Sequence, residues 1–490
     1  MAVVTPVASP RTGRNVEAVL IAVAVALAMG AWAMVGLAVD GRLPAGMVGY
    51  GGAFGLLVLA LHLVLRWRAP YADPTLLPMA TAINGIGLVV IHRLDLAEER
   101  SFSESLVSRQ VIWTALGILA AIAVILLLRD HRVLSRYTYI AMAFGLLLLL
   151  LPLFPLLGKN INGARIWIGL GPLSFQPGEI AKIALTIFFA GYLVTARDSL
   201  SLVGRKILGI QFPRGRDLGP ILVAWMLSLG VLVFERDLGT SLLFFGLFVA
   251  MIYVATERTS WVILGLLLFF GGAFLAWTLF GHVQARVDAW LHPLDPEVYN
   301  RVFGSSQQLV QGLFGMANGG LLGTGLGEGR PDIVPYAESD FIVASIGEEL
   351  GLTGMFALLL LYGLIVERGM RTAIGVRDGF GKLLAGGLSF SMALQCFVVA
   401  GGVTRVIPLT GLTMPFLAYG GSSLVSNWII IGLLLRISDS ARRPPAEPAP
   451  APPSSDDLTT DMPVTPDDDD AVTLTEEPAP SEDETVVVRP

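Results

Sequence analysis

"YAESDFIVASIGEELGLTGMFALLLLYGLIVE", residues 336–367, gathers four carboxylates, Glu338, Asp340, Glu348 and Glu349, at the mouth of a long apolar run. The apolar half has the composition of a helix that enters a bilayer, and carboxylates are poorly tolerated beside hydrocarbon. The rest of the chain extends the bilayer reading. Of its 490 residues, 54% are hydrophobic and only 15% charged, and the mean hydropathy is +0.69. A soluble chain of this size carries roughly a quarter charged residues. The apolar blocks run to about 17–25 residues, enough to cross a hydrocarbon core of about 30 Å. A membrane β-barrel would show alternating segments of about ten residues instead. The pattern predicts an all-α polytopic membrane protein.

Twelve spans are expected, at residues 19–39, 46–65, 75–92, 110–128, 137–158, 179–195, 218–234, 239–256, 260–280, 343–366, 383–404 and 424–436. The first is too long in its apolar core for a signal peptide, and a second span follows at once. With the N-terminus (1–18) inside, cytoplasmic segments hold twenty lysines and arginines before the tail, against eleven outside. That bias follows the positive-inside rule and places both termini in the cytoplasm. The carboxylate cluster then ends the largest outer loop, residues 281–342. The tail, 444–490, contains "PPAEPAPAPPSSDD" and "TPDDDD" and is too poor in apolar surface to order itself.

The single cysteine, Cys396, excludes an intrachain disulfide. The five histidines lack metal-ligand spacing, and neither HExxH nor a Walker-type loop occurs. No nucleotide, organic cofactor or nucleic-acid partner is expected. "NGGLLGTGLGEG", residues 318–329, follows no strand, so it reads as a tight outer loop rather than a phosphate cradle.

Polar groups beside spans are expensive and mark functional candidates. Four segments carry them, all on the outer side of this topology. In "NGARIWIGLGPLSFQPGEIAK", residues 162–182, Glu179 and Lys182 lie three residues apart on one helix face. They read either as an internal ion pair that neutralises itself or as site residues. Arg165 and Trp167 stand just before them as an interfacial cation and aromatic. "FERDLGTS", residues 234–241, packs Glu235, Arg236 and Asp237 into a very short link. In the opening stretch, Asp340 reads as a helix cap or as a functional carboxylate. A continuous helix would put residues 340, 344 and 348 on one face, with Glu348 about 12 Å deeper. The fourth segment, "GVTRVIPLTGLTMPFLAYGGSS", residues 402–423, is irregular backbone of the kind that lines a cavity, and it contains Arg405. Arg165, Lys182, Arg236 and Arg405 beside carboxylates suit an anionic amphiphile, its phosphate among the cations and its tail in the hydrocarbon.

"GARIWI", "QPGEIAK", "RDLGT", "SDFIVASIGEELG" and "PLTGLTMPFLAYGGSS" resemble, in order, the signatures of the SEDS family, the group that includes RodA and FtsW. The likeness covers residues 75–437. It implies a ten-helix core preceded by two extra N-terminal spans within residues 19–65. Those spans, with "VPYAESDF" and "GGVTRVIPLTGLT", are most similar to RodA-type members from Actinobacteria. The resemblance implies a peptidoglycan glycosyltransferase that polymerises lipid II, the undecaprenyl-pyrophosphoryl disaccharide-pentapeptide, on the outer face of the plasma membrane. By position, Asp340 is then the general base, and Arg165, Lys182, Arg236 and Arg405 are candidates for the pyrophosphate. Trp167, Glu179, Asp237, Gln308, Gln311, Glu348 and Glu349 are supporting polar positions. A divalent cation, Mg2+ or Mn2+, is the cofactor expected at a pyrophosphate. A class B penicillin-binding transpeptidase is the expected partner, with other proteins of an elongation or division complex.

The sequence departs from the family pattern in three places. "QPGE" stands for QPSE, "SDF" for TDF, and Gln307 takes the place of a tyrosine in "DPEVYNRVFGSSQQLVQG". The competing readings are a division-type polymerase, a lipid II flippase and a non-catalytic scaffold. A carrier of that kind usually shows repeated halves around a midplane site. Here no repeat is visible, and the polar segments cluster on one side.

Overall fold

The computed structural model describes residues 12–44, 46–101, 104–155, 157–161, 164–170, 173–201, 203–207, 210–213 and 219–444. The chain divides into two units, Met1–Arg443 and Pro444–Pro490. The tail expected to be disordered lies, beyond residue 444, outside the described residues.

Among the described residues, eleven helical segments are long and apolar enough to cross a membrane, and a shorter apolar helix covers Gly219–Val231. In chain order the helices are α1 (Arg14–Asp40), α2 (Met47–Arg68), α3 (Leu76–Ala97), α4 (Leu106–Leu127), α5 (Thr138–Leu150), α6 (Pro177–Ser201), α7 (Gly219–Phe234), α8 (Leu238–Thr256) and α9 (Thr259–Leu279). The long connection that follows carries α10 (Gly281–Leu291), α11 (Pro296–Tyr299), α12 (Gln307–Gly319) and α13 (Ile342–Glu349). The last three spans are α14 (Gly351–Gly375), α15 (Gly379–Val403) and α16 (Gly421–Arg442). α16 forms the centre, against α3, α4, α6, α14 and α15, while α1 packs on α3 and α2 on α4. Leucines and phenylalanines of the outer helices face outward, as in Leu27, Leu56 and Phe270. Lipid, not water, is the solvent for those faces.

Successive spans reverse direction, so alternate connections gather at the same end of the bundle. At the end where α1 begins, side chains tie the extra helices to the core. The Tyr71 amide donates to Asp439 Oδ1 at 2.9 Å, and Arg436 Nη1 to the Arg68 carbonyl at 2.9 Å. Within the pair, Glu17 is fully buried and accepts from Arg14 at 2.7 Å, with His62 Nδ1 also at 2.7 Å.

The structure adds two small sheets to the all-helical expectation. β1 (Gly158–Ile161), β2 (Ala164–Leu170) and β3 (Leu173–Phe175) form an antiparallel three-stranded sheet between α5 and α6. β4 (Val203–Ile207) and β5 (Ile210–Pro213) pair antiparallel between α6 and α7. "ARIWIGL", with Arg165 and Trp167, forms the central strand of the first sheet. Its β-branched and aromatic residues pair across strands, with Trp167 opposite Lys159.

The tenth span also needs correction. The helix does not run from residue 340 into the membrane: it stops at Leu350 and restarts at Gly351, whose φ is +65°. A Cβ there would come within 2.3 Å of the Gly323 amide nitrogen, so the glycine loop seats directly on the break. Residues 340, 344 and 348 therefore do not line a single descending face.

Candidate functional site

The cluster is assembled at the end of the bundle opposite the start of α1. Hydrogen bonds between loops bring the four polar segments together. The Arg165 amide of β2 donates to the Glu235 carbonyl at 3.2 Å, and the Tyr419 amide to the Glu338 carbonyl at 2.7 Å. Gln308 of α12 donates to the Pro335 carbonyl at 2.8 Å and reaches Asp340 Oδ1 at 3.5 Å.

Asp340 precedes α13 and caps nothing: the capping position is Phe341, with no side-chain cap bond. Ser339 Oγ donates to Asp340 Oδ1 at 3.0 Å, so both side-chain donors converge on one oxygen. That orients the carboxylate and leaves Oδ2 without a side-chain donor among the described residues. Burial pushes its proton affinity above the ordinary carboxylate range. Ser339, its own backbone amide, Arg286 and Gln308 pull the other way.

Arg286 is the residue that sequence reading missed. It projects from α10, donates to the Leu409 carbonyl at 2.8 Å, and acts electrostatically on both Asp340 and Asp237. One guanidinium thus holds the irregular segment before α16 and lends its charge to Asp340 of the opening stretch and Asp237 of the α7–α8 link. Its signal in the sequence was faint, because "GHVQARVDAW" looks like any amphipathic surface helix.

The α7–α8 link proves partly structural. Asp237 caps α8, accepting from the Thr240 amide at 3.0 Å and the Thr240 hydroxyl at 2.6 Å. Burial pushes Glu235 up to about 8, with Asp237 beside it adding to the shift. Arg236 is exposed with φ +58°. Arg165 is also exposed, and among the described residues neither guanidinium has an ion-pair partner. Both are free to meet a ligand.

Other sequence candidates have different settings. Lys182 is buried and paired with Glu179 at 2.9 Å, and it donates to Gln395 Oε1 at 2.8 Å. Gln395 in turn donates to the Thr413 carbonyl at 2.9 Å, and Ser426 to Glu179 Oε2 at 3.3 Å. Of the two readings of this pair, the internal ion pair is the one observed. Arg405 is no free cation: it donates to the Trp290 and Leu291 carbonyls at 2.8 and 3.1 Å, holding the end of α10. Glu349 accepts from Arg93 at 2.9 Å and the Gly327 amide at 3.1 Å, and Glu348 from the Arg330 amide at 3.0 Å. These two glutamates clamp the glycine loop. Gln311 is half-buried, its Oε1 without a partner among the described residues. Trp167 is half-buried on β2.

Among the described residues no three His, Cys, Asp or Glu side chains converge as metal ligands. A magnesium or manganese ion would rest on one carboxylate, such as Asp237, together with phosphate oxygens and water, the usual mode for Mg2+.

Comparison with known proteins places this geometry. The profile of the FtsW, RodA and SpoVE family, described as cell cycle protein, matches residues 74–443. The peptidoglycan glycosyltransferase RodA of Mycobacterium tuberculosis is 48% identical over 437 residues, covering 88% of this chain and 92% of the relative. The stage V sporulation protein E of Bacillus subtilis is 32% identical over 73% of this chain and 94% of its own. A solved peptidoglycan synthase complex, described as coordinating polymerization and crosslinking, contains a chain matched with a TM-score of 0.60 at 28% identity. The match covers 76% of this chain and 99% of that one. The crystal structure of Thermus thermophilus rod shape determining protein RodA matches with a TM-score of 0.53 at 27% identity, over 76% and 98% of the two chains.

Proposed function

The chain belongs to the FtsW, RodA and SpoVE family and is a peptidoglycan glycosyltransferase, and from that premise we propose that it polymerises lipid II with Asp340 as general base. The carrying observation is Arg286, whose guanidinium donates to the Leu409 carbonyl while its charge acts on both Asp340 and Asp237.

The acceptor's sugar hydroxyl is a very weak acid, so its proton must leave as the new bond forms. Asp340 Oδ2 takes that proton while the hydroxyl oxygen attacks the donor C1. The C1–O bond to the diphosphate breaks in the same in-line step, inverting the anomeric centre. A carboxylate whose proton affinity is raised by burial is a stronger base than a solvated one. Negative charge grows on the departing diphosphate, where Arg286, Arg236 and Arg165 supply donors that match paired phosphate oxygens. A divalent cation bound there would supply further charge neutralisation. Glu179 and Lys182 act at one remove, anchoring α6 to α15 and α16.

The site faces the extracytoplasmic side, a placement supported by the excess of lysine and arginine at the opposite end of the bundle. Similarity to the mycobacterial RodA supports a role in elongation rather than division, and localisation to side wall or pole rather than septum tests it. The partner is a class B penicillin-binding transpeptidase, a reading supported by the synthase complex among the structural relatives.

Purified protein in detergent, which has no two sides, should convert lipid II into glycan chains. Failure to do so under conditions where the protein is folded would overturn the polymerase reading and favour a carrier. Asp340→Asn should slow the reaction by about 10²-fold or more, and undiminished polymerisation by that variant would remove Asp340 from the mechanism.

A further inference from the structure

The assignment of Asp340 as base and of Arg286, Arg236 and Arg165 as cations gives no task to His282, whose buried nitrogen lies beside two of these cations. His282 stands four residues before Arg286 on α10, so the two share a helix face. Its Nε2 is buried and has no hydrogen-bond partner among the described residues. Phe280 lies against the ring, with centroids 5.8 Å apart. The charged groups that act on the imidazole are both cations, Arg236 from the α7–α8 link and Arg286 from its own helix. Beyond Arg286 stand Asp340 and Asp237.

A buried imidazole nitrogen with nothing to bond is costly, and the charge of the two arginines makes protonation costlier still. The same three groups become mutually favourable once an anion lies among them. We propose that His282 is a further ligand of the lipid-linked diphosphate, donating from Nε2 to a phosphate oxygen and taking up a proton as the anion binds. This rests on the reading of the site as a peptidoglycan polymerase and names one more residue of it.

Without ligand, burial and the two arginines hold the imidazole below its ordinary value, so it is neutral near neutral pH. The negative charge of a diphosphate raises its proton affinity. Binding is then coupled to proton uptake. Affinity is full below the free-state value and is lost as pH rises through the bound-state value. Retention of the product should weaken in the same direction.

The test uses the full-length protein in detergent, with undecaprenyl diphosphate as inhibitor of lipid II polymerisation at about pH 6 and about pH 8. His282→Phe keeps a ring and removes the nitrogens, while His282→Gln keeps a neutral donor. At the lower pH, His282→Phe should weaken inhibition about tenfold, the effect of losing one charge-assisted hydrogen bond. His282→Gln should recover part of that loss, and neither variant should show the wild-type fall in affinity with pH beyond the ligand's own titration. The donor KM should follow, with kcat changing less. Wild-type inhibition constants and pH slope in both variants would overturn the proposal. If His282→Phe does not fold, as read by its melting temperature, His282→Gln alone decides through the pH slope. A wild-type protein that makes no glycan defeats the polymerase reading instead. An active wild type with an impaired Asp340→Asn and unaltered His282 variants defeats only the present inference.

Discussion

Asp340 must be ionised to accept a proton, while the burial that strengthens it as a base also favours its neutral form. Its titration therefore lies above the ordinary carboxylate range, and polymerisation should fall as pH drops through that raised value. A pH–rate profile of kcat in detergent checks the direction; a limb no higher than an exposed aspartate's would show that burial does not act on this group. Asp340→Asn should lower kcat by about 10²–10⁴-fold, the usual contribution of a positioned proton acceptor. Arg286→Lys keeps a charge near the two aspartates but loses the forked donors, one of which holds the Leu409 carbonyl. We expect a loss of about tenfold or more in kcat/KM, comparable to one charge-assisted hydrogen bond. An unchanged kcat/KM would mean that only its charge matters.

Among the elements, the buried pairs hold the scaffold that the arginines and Asp340 depend on. Breaking one partner of a buried ion pair typically costs about 3–5 kcal/mol, because the other charge is left stranded. Glu179→Gln or Lys182→Met should each destabilise the protein by that order, and the double substitution by less than the sum. Thermal melting in detergent measures the coupling, and strict additivity would rule it out. Arg93→Met should release Glu349 and loosen the glycine loop, raising protease cleavage within residues 318–330.

Much of this was legible in the chain. Crossing length is a one-dimensional property, so eleven of the twelve apolar runs fall on helices long enough to cross, and the family motifs singled out Asp340. The break before Gly351 was not legible, because it exists only where the Gly323 loop, distant in sequence, seats against it. Arg286 and Arg405 look alike as lone outer arginines. The difference lies in what three-dimensional packing sets beside each: two carboxylates and a carbonyl for Arg286, and the last carbonyls of α10 for Arg405.

For the molecule as a whole, the proposed partnership with a transpeptidase predicts faster polymerisation in reconstituted membranes when that partner is present. Equal rates with and without it would remove the coupling. The extra helices α1 and α2 belong to the same mechanical body as the catalytic end. The backbone of Val35 and the side chain of Ala38 lie against Gly327, in the loop clamped by Glu349.

The Arg14–Glu17–His62 group has a consequence for biogenesis. An unpaired charge in a helix costs about 2.5–3.5 kcal/mol at the bilayer centre, and less nearer its edge. A nascent chain released with α1 alone would keep the Arg14–Glu17 pair but lack the imidazole that closes the group, leaving one carboxylate oxygen without its partner. The translocon should therefore hand over α1 and α2 together, as a hairpin, and a ribosome stalled before His62 emerges should leave α1 extractable by alkaline wash.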